Sequence, residues 1–582
     1  MNLAGTLLAT VGVTTALLWL AGAIGARLRR ALRLPVSPGL RLAADVPLGF
    51  GVIAVVEFVC AVLGLLSLTA TLAVTASLAL LARWGLPRRL PVALTATAAA
   101  ALPLLPVALA PPFFYDALVY HLALPWQALL EGRLHPHPED LFSTFPPLAQ
   151  LLALLPLRLR LDRVPALLHL AAVALAGTAV AAAARSCGAR RWAANLAGAT
   201  LVLLPAGMLV GGLPGADGYL LLAASAAIAA ALRRRSPALA GLLAGVGLAA
   251  RAQGLTWVVL IGFVVAALGP RLRSLLAYSG GVLATSFPWW GKNALLLGDP
   301  LAPIGWHREG VDTLWRDGGA TLLSSGVGLD WLAAVPARLA PHLPTLLLLG
   351  LAAVAALLHR TRSRMVLAAC SLLGTGAWLV TGTLPRFLLV PLAVLLILAA
   401  SASRGHGGGW IAAPALSGVA ALGLAFNITE VARLGGLELP VASAAELRCR
   451  FAPTDPVAAF TAAGALPTDA RVLFIGEPRG YRFPRRFVAP SQHDVSPLRD
   501  LIEGKDDSEQ VRSWLRARGF SHVLVNWGEL RRLATSYPVE PWRTRLGRTR
   551  FEALLRSFGA PVVRAGVVEI YAVPARSLTG GG

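Results

Sequence analysis

One polar stretch between two apolar segments carries residue types suited to proton transfer. It reads Pro111-Pro-Phe-Phe-Tyr-Asp-Ala-Leu-Val-Tyr-His-Leu-Ala-Leu-Pro125. Asp116 lies at the exit of an apolar segment, and Tyr120, four positions later, would share a helical face with it, with His121 alongside. A carboxylate at this low-dielectric boundary is costly without partners, which makes Asp116 a candidate general base. The alternative interpretation is a helix cap, because Asp commonly caps a loop-to-helix junction.

A second acid stands in a similar position, in Leu213-Pro-Gly-Ala-Asp-Gly-Tyr219. Asp217 begins a predicted helix, so N-capping is again an alternative. An acid this close to a membrane is nevertheless a candidate functional group, because such groups are costly unless they are paired.

Further side chains that could bind a metal ion follow Asp116 in the sequence, at His135, His137, Glu139 and Asp140. Together with His121 they could assemble a divalent-metal site, since imidazole and carboxylate suit several such ions. Their spacing matches no closed-site pattern, and the prolines between them indicate an extended loop. The sequence therefore predicts no metal or other cofactor, with a divalent metal as the alternative, and keeps Glu139 and Asp140 as candidate substrate-binding residues.

Three cationic side chains interrupt apolar stretches and complete the set of candidate site residues. Arg251 precedes Gln253, Lys292 and Asn293 follow Phe287-Pro-Trp-Trp-Gly291, and Arg386 follows Thr383-Leu-Pro385. Each of these cations taken singly has an alternative explanation, which is snorkelling to lipid headgroups. Grouped with the acids on one side of a membrane, they suit a substrate that carries both a phosphate and a reacting hydroxyl.

Composition indicates which elements must position these residues. The chain has 582 residues, of which 56% are hydrophobic and 14% charged, against about 25% charged residues in a typical soluble domain. Lys and Arg number 52 and Asp and Glu 29, and the arginines sit in short clusters between apolar runs long enough to cross a bilayer. This placement is typical of membrane topology and excludes nucleic-acid binding. None of the four cysteines forms a CxxC pair, so neither a disulfide framework nor a structural zinc site is predicted.

The predicted architecture is an all-α polytopic membrane bundle of about 13–14 helices, followed by a small α/β domain. The boundaries are 1–429 for the bundle and 430–582 for the domain, with outer loops at 112–145 and 291–341. Leu3–Ala26 is interpreted as a membrane helix and not as a cleaved signal, because a basic n-region is lacking. Keeping every arginine cluster cytoplasmic requires the short run 146–157 to be re-entrant or interfacial, and it places both loops and the C-terminal domain outside.

The C-terminal segment alternates strand and helix patterns, which is typical of a small α/β domain. Strands are predicted at Arg471–Gly476 and His522–Asn526, helices at Ser508–Arg518 and Arg548–Phe558, and a hairpin at Val562–Val573. The turn Gly476-Glu-Pro-Arg-Gly480 lacks the Lys and Ser or Thr of a P-loop, so nucleotide binding is not expected.

Several of these segments together resemble the bacterial GT-C glycosyltransferases, the polytopic enzymes related to protein O-mannosyltransferases and aminoarabinose transferases. The resemblance covers roughly 90–400 and rests on Tyr115-Asp-Ala-Leu-Val-Tyr-His121, Leu130-Glu-Gly-Arg133, Phe145-Pro-Pro-Leu148, Gly241–Arg251, Phe287-Pro-Trp-Trp-Gly-Lys-Asn293 with Gly298-Asp-Pro300, and Leu384-Pro-Arg-Phe-Leu388. The sequence departs from the family where Ala117 replaces a second acid. Lys292 and Arg251 also stand where the family more often has Arg and Lys.

The resemblance implies inverting transfer of a sugar from a polyprenyl-phosphate carrier to a hydroxyl acceptor (a glycan, lipid or protein) at the outer face of the bacterial cytoplasmic membrane. Asp116 would be the general base, and Lys292, Arg386 and Arg251 would stabilise the departing phosphate. Asp217, His121 and Tyr120 would orient the sugar or tune the base.

Two other classes of protein remain open at this stage. A transporter or flippase for lipid-linked glycans should show internal repeats and charges near the bilayer midplane, whereas these charges cluster at one face and no repeat is evident. A non-catalytic partner that keeps the fold and binds lipid or glycan is the third interpretation.

Overall fold

The computed structural model describes residues 2–82, 91–135, 137, 139–233, 236–269, 271–302, 336, 339–381, 384–404, 408–504, 508–537 and 539–574. Most of the predicted outer loop 291–341 therefore lies outside the described residues. The chain divides into two compact units, which interleave along the sequence. The first comprises Met1–Pro112, Pro146–Lys292 and Gly326–Ala442, and the second comprises Phe113–Phe145, Asn293–Ser325 and Ser443–Gly582.

The helices are numbered in chain order. They are α1 Leu3–Ala31, α2 Arg41–Val62, α3 Leu68–Ala82, α4 Val92–Ala101, α5 Leu105–Ala108, α6 Ala123–Glu131, α7 Leu148–Arg158, α8 Val164–Ser186, α9 Arg191–Leu203, α10 Pro205–Gly211, α11 Asp217–Leu232, α12 Pro237–Ala250, α13 Gly254–Leu268, α14 Arg271–Leu297, α15 Leu343–Leu357, α16 Arg362–Thr381, α17 Leu389–Ser401, α18 Gly408–Leu434, α19 Ala444–Phe451, α20 Val457–Ala462, α21 Arg499–Gly504, α22 Ser508–Ala517, α23 Trp527–Ala534 and α24 Arg545–Ser557.

The first unit is the predicted bundle of apolar helices. Within the described ranges, six helical segments are long and apolar enough to cross a membrane by length and composition: Leu3–Ala31, Pro38–Val62, Val164–Ser186, Ala340–Leu357, Pro385–Arg404 and Gly408–Leu434. Six shorter apolar helices accompany them, including α11, α12 and α13. The all-α membrane class is thus confirmed, whereas the number of crossings stays a prediction.

Helix α7 corresponds to the short run predicted at 146–157. Its 11 residues span about 16 Å at 1.5 Å per residue, roughly half the hydrocarbon thickness of a bilayer. Its apolar side chains are buried against α2 and α8. That this segment is re-entrant or interfacial stays a prediction.

Close packing of α1 against α2 depends on small residues. A Cβ added at Gly25 would lie 1.7 Å from the carbonyl oxygen of Asp45, and one added at Gly49 would lie 1.8 Å from that of Ala21. Helix backbones can approach this closely only where side chains are absent. Near the end of this contact Arg29 forms a bidentate ion pair with the buried Asp45, in which Nε and Nη2 donate to the two carboxylate oxygens at 2.6 and 3.1 Å.

The second unit contains the predicted α/β domain. Its sheet is formed by β1 Arg471–Ile475, β2 Arg486–Val488, β3 His522–Asn526, β4 Val563–Ala565 and β5 Val568–Ala572. The strand order is β2-β1-β3-β5-β4, with β1 parallel to β2 and β3, and β5 antiparallel to β3 and β4. The strands and helices predicted here are confirmed, and the short strand β2 is an addition.

Part of this domain's core comes from far earlier in the sequence. Helix α6 belongs to the segment 113–145, and its Trp126 and Leu130 pack on the apolar cluster around Phe474 and Phe487. The Trp126 indole donates to the carbonyl oxygen of Phe483 at 2.8 Å. The first polar loop is therefore built into the same compact unit as the C-terminal sheet.

Candidate active site

The candidate site residues of the first unit meet around Asp217. A guanidinium nitrogen of Arg251 donates to the Asp217 carboxylate at 3.1 Å, and Arg386 Nε lies 3.9 Å from the same oxygen. Both guanidinium groups also lie over the ring of Phe387, at 4.8 and 5.6 Å from its centroid. Three of the predicted site residues are therefore neighbours, although up to 169 positions separate them in the sequence. We refer to Asp217, Arg251, Arg386 and Phe387 as the arginine cluster.

Helix ends position the members of this cluster. Asp217 is the first residue of α11, where the helix dipole favours a negative charge. Arg251 follows the last residue of α12 in extended conformation. Since α12 returns antiparallel to α11 after a short connection, its end lies beside the start of α11. The apolar run predicts a helix over 386–401, whereas α17 begins three residues later, at Leu389, and Arg386 lies in the turn Pro385–Leu388 before it.

Asp217 does not cap its helix, so the capping alternative does not hold there. The N-cap position is occupied by Ala216, which makes no side-chain capping hydrogen bond. The Asp217 carboxylate faces the two arginines, and the side chains of Asp217, Arg251 and Arg386 are 9%, 12% and 19% exposed. Two guanidinium groups beside one carboxylate leave a net positive charge in a partly dehydrated setting, which suits an anionic ligand.

His169 orders the loop before Asp217, a role that the sequence did not reveal. Its Nε2 accepts from the backbone N–H of Gly218 at 2.7 Å, and its Nδ1 lies 2.7 Å from the carbonyl oxygen of Leu213. Because a carbonyl can only accept, the proton of the neutral ring is on Nδ1. A Cβ at Gly215 or Gly218 would lie 2.8 or 2.7 Å from the imidazole, so glycines let the ring sit against the backbone.

Lys292 and Asn293 lie within a helix and not after one. The apolar run predicts a helix over 275–290, whereas α14 continues seven residues further, to Leu297. The Lys292 side chain belongs to the first unit and is buried. Asn293 donates its amide to the carbonyl oxygens of Thr144 and Ala302, at 3.0 and 2.6 Å. Its amide nitrogen thus holds the end of the first polar loop.

In the second unit, Asp116 stands at the start of a single π-helical turn, Ala117–His121. Its side chain makes no capping hydrogen bond to this turn, which removes the capping alternative. The Tyr120 hydroxyl donates to the Asp116 carboxylate at 3.2 Å, as the four-residue spacing predicted. Single π-helical turns are frequent at functional sites because they redirect side chains locally.

An aromatic layer surrounds this acid. The Tyr120 ring stacks on Phe142 at 4.2 Å between centroids and lies 4.1 Å from the ring of the buried His121. His493 from the C-terminal domain packs edge-on against Phe142 at 5.8 Å. Burial lowers the pKa of His493 to about 4, while the Asp116 carboxylate acts in the opposite direction. His493 is therefore neutral at pH 7 and is a neighbour of Asp116 that sequence reasoning missed.

Tyr115, which precedes Asp116, is fixed by a buried ionic network. Its hydroxyl donates to Glu529 at 2.9 Å, and its ring lies beneath the guanidinium groups of Arg479 and Arg532. Arg532 donates twice to Glu529, at 2.6 and 2.9 Å, and Arg479 forms an ion pair with Glu477. Although burial acts in the opposite direction, these hydrogen bonds from Arg532 lower the pKa of Glu529.

The remaining acids of the loop have structural partners. Asp140 caps the turn Leu141–Thr144 by accepting from the backbone N–H of Phe142 at 3.0 Å. Glu139 lies 3.9 Å from Arg518, and His137 lies 3.1 Å from Glu131. Across the described residues, no group of three or more His, Cys, Asp or Glu side chains gathers in a way that could hold a metal ion.

Asp116 and the arginine cluster belong to different units. The structure thus brings together Asp217, Arg251 and Arg386 in one unit, and Asp116, Tyr120 and His121 in the other. That both groups act on one substrate stays a prediction.

This combination of an apolar helical bundle with a small α/β domain is a fold that the chain shares with solved structures of GT-C membrane glycosyltransferases. The chain is similar to the crystal structure of ArnT, an aminoarabinose transferase, from Cupriavidus metallidurans bound to undecaprenyl phosphate. That match has a TM-score of 0.52 and 14% sequence identity, and it covers 84% of this chain and 99% of ArnT. ArnT in the apo state matches with a TM-score of 0.51 and 15% identity, over the same shares of the two chains.

An oligosaccharyltransferase from Archaeoglobus fulgidus, tethered to an acceptor peptide, matches with a TM-score of 0.44 and 12% identity, over 78% of this chain and 72% of that one. No protein-family model and no curated protein matches the chain.

Proposed function

We propose that this protein transfers a sugar from a polyprenyl-phosphate carrier to a hydroxyl acceptor, with inversion, at the outer face of the cytoplasmic membrane. The observation that carries this proposal is the convergence of Arg251 and Arg386 on Asp217 within a bundle that has the fold of ArnT. The ArnT structure contains undecaprenyl phosphate. A pair of guanidinium groups with low exposure is suited to the phosphate of such a carrier.

Asp116 is the proposed general base. As the acceptor oxygen attacks the anomeric carbon, Asp116 takes the hydroxyl proton, and the bond between that carbon and the phosphate oxygen breaks. The electron pair leaves with the polyprenyl phosphate, and attack from the opposite side inverts the anomeric centre. The Tyr120 hydroxyl supports this role because its hydrogen bond orients the carboxylate.

The cations are proposed to stabilise the leaving group. Negative charge develops on the phosphate in the transition state, and preorganised donors are most effective where charge develops. Arg251 and Arg386 are held by Asp217 and Phe387 before any ligand arrives. Lys292 is proposed to add a third positive charge. We further propose that His121, Glu139, Asp140 and Asn293 contact the sugar or the acceptor.

The decisive experiment measures consumption of donor by purified protein incubated with a panel of polyprenyl-phosphate sugars. With the donor that is consumed, Asp116→Asn should lower kcat by roughly 10²–10⁴-fold, the range of general-base catalysis, and leave donor binding unchanged. Asp500→Asn is the matched control, because Asp500 is exposed on α21 and its ion pair with Arg543 spans 3.7 Å. Unchanged transfer by Asp116→Asn would remove Asp116 as the base. Consumption of none of the donors would contradict the proposed reaction.

A further inference from the structure

The C-terminal domain contains a cavity of about 650 Å³ that the proposed reaction does not use. Its volume lies within the roughly 300–1,000 Å³ typical of small-ligand pockets. The side chains of Trp527, Trp542 and Tyr571 line it, above a floor that includes the buried Leu530 and Leu555. We refer to this cavity, formed by α23, α24 and β5, as the tryptophan pocket.

The aromatic wall is held in place before any ligand binds. Glu569 accepts a hydrogen bond from the Trp527 indole at 3.0 Å and another from the Tyr571 hydroxyl at 2.7 Å. The same carboxylate pairs with Arg564, another lining residue, at 2.9 Å. Because one carboxylate fixes three lining groups, little conformational entropy is lost when a ligand enters.

The pocket lining is rich in positive charge. It includes four arginines but only two glutamates, Glu540 and Glu552. Arg548 lies 5.9 Å from the ring of Trp542 and pairs with Glu552 at 2.9 Å. Arg531 donates its Nε to the carbonyl oxygen of Trp527 at 3.2 Å. Neither Arg531 nor Arg556 forms an ion pair with another described residue, and both side chains are exposed, so guanidinium nitrogens at the rim remain accessible to an anion.

We propose that the tryptophan pocket binds an acidic saccharide, that is, a sugar bearing carboxylate or phosphate groups. Flat aromatic side chains suit the apolar C–H face of a sugar ring, and guanidinium groups bind carboxylate or phosphate through paired hydrogen bonds. Carboxylates in the lining can accept hydrogen bonds from sugar hydroxyls.

A nucleic acid fits the same residues less well. Single-stranded nucleic acids bind along extended basic grooves. The tryptophan pocket is instead a compact cavity of about 650 Å³, which offers no extended track for a polynucleotide backbone.

The test is isothermal titration calorimetry on the full-length protein in detergent. Tetragalacturonic acid provides the carboxylate probe, glucose 6-phosphate the phosphate probe, and maltotetraose the neutral control. We expect at least one acidic probe to bind and maltotetraose not to bind. Arg556→Gln and Arg531→Gln should each weaken binding of the acidic probe about tenfold, since each removes one charge-assisted contact.

Arg433→Gln is the matched control, because Arg433 is an exposed arginine on α18 that is paired only with Glu430 in the same helix. Both rim arginines are exposed, so their replacement leaves the core of the domain intact. Equal binding of neutral and acidic sugars, binding by neither acidic probe, or unchanged affinity in both rim variants would overturn the proposal. Displacement of the acidic probe by a single-stranded oligonucleotide would overturn it in favour of nucleic acid. Since the readout is binding alone, its failure leaves the proposed transferase reaction unaffected.

Discussion

The two arginines around Asp217 are not equivalent. Arg251 makes a direct hydrogen bond to the carboxylate at 3.1 Å, whereas Arg386 lies 3.9 Å away and is more exposed. Arg251 also donates to the side-chain oxygen of Gln253 at 3.0 Å. At the scale of single residues, Arg251 is therefore the hydrogen-bonded partner of Asp217, and Arg386 is the more exposed of the two guanidinium groups.

Replacing these two arginines should separate their roles. Arg251→Gln leaves Asp217 without its hydrogen-bonded partner, and we expect a free energy of unfolding lower by roughly 3 kcal/mol. Arg386→Gln should weaken donor binding about tenfold, because under the proposed function it removes one charge-assisted contact to phosphate. Thermal unfolding and donor affinity of the two detergent-solubilised variants provide the measurements. An unchanged melting temperature in Arg251→Gln, or an unchanged donor affinity in Arg386→Gln, would contradict these assignments.

His493 should make the protein sensitive to acid. Because burial lowers the pKa of His493 to about 4, the unfolded chain, whose histidine titrates near 6.5, binds this proton before the folded chain does. The free energy of unfolding should therefore decrease by up to about 1.4 kcal/mol per pH unit as the pH falls from about 6.5 to 4.

His493→Phe removes this titration and keeps an aromatic ring beside Phe142 and Tyr537, the two rings that His493 contacts. The melting temperature of the variant should fall less than that of the unmodified protein between pH 7 and pH 5. Parallel losses in the two proteins over this interval would contradict the assignment of the acid sensitivity to His493.

At the scale of elements, the contact between α1 and α2 is determined by backbone proximity. Gly25→Ala would place a methyl group 1.7 Å from the Asp45 carbonyl oxygen, so the helices would have to separate and disturb the Arg29–Asp45 ion pair. We expect a clearly lower melting temperature or no folded protein. Gly12→Ala in the same helix is the control, because no atom lies within 4 Å of the added carbon. Equal stability of the two variants would refute this account of the contact.

At the scale of the whole molecule, the first polar loop and the C-terminal sheet form one unit although 414 positions separate Tyr115 from Glu529. Several contacts join them, among them the hydrogen bond from the Gln127 amide to the carbonyl oxygen of Phe487 at 2.6 Å. The proposed catalytic base thus depends on the C-terminal domain for its surroundings.

The proposed side of the membrane can be tested with a native cysteine. Cys449 in α19 is exposed, whereas Cys60, Cys187 and Cys370 are buried. If the C-terminal domain is extracytoplasmic, a membrane-impermeant maleimide should label intact spheroplasts at Cys449. Labelling should be absent in Cys449→Ser, the control variant. Labelling that occurs only after the cells are lysed would place the domain in the cytoplasm and contradict the proposed topology.

The class of architecture follows from local patterns along the sequence. Runs of apolar residues long enough to cross a bilayer predict a helical membrane bundle, because a spanning helix must match the thickness of the hydrocarbon. In addition, every backbone N–H and C=O group inside the hydrocarbon needs a hydrogen-bond partner, which a helix provides. Alternation of strand and helix patterns likewise indicates the C-terminal sheet. These signals are local in the chain. Helix ends are less well predicted, as α14 shows by continuing seven residues beyond the predicted end, to Leu297.

Which charged residues are partners is apparent only from the packing of the folded chain. Asp217 and Arg251 are 34 positions apart, and nothing in the local pattern of either segment indicates the other. Local patterns also do not indicate that His169 lies against the start of the helix that carries Asp217, or that His493 is a neighbour of Asp116. The hydrogen bond from Tyr115 to Glu529 is likewise invisible in the sequence. Such pairings depend on how helices and strands pack against each other. Packing is a cooperative property of the whole chain, so residue types and short spacings do not indicate which distant residues will pair.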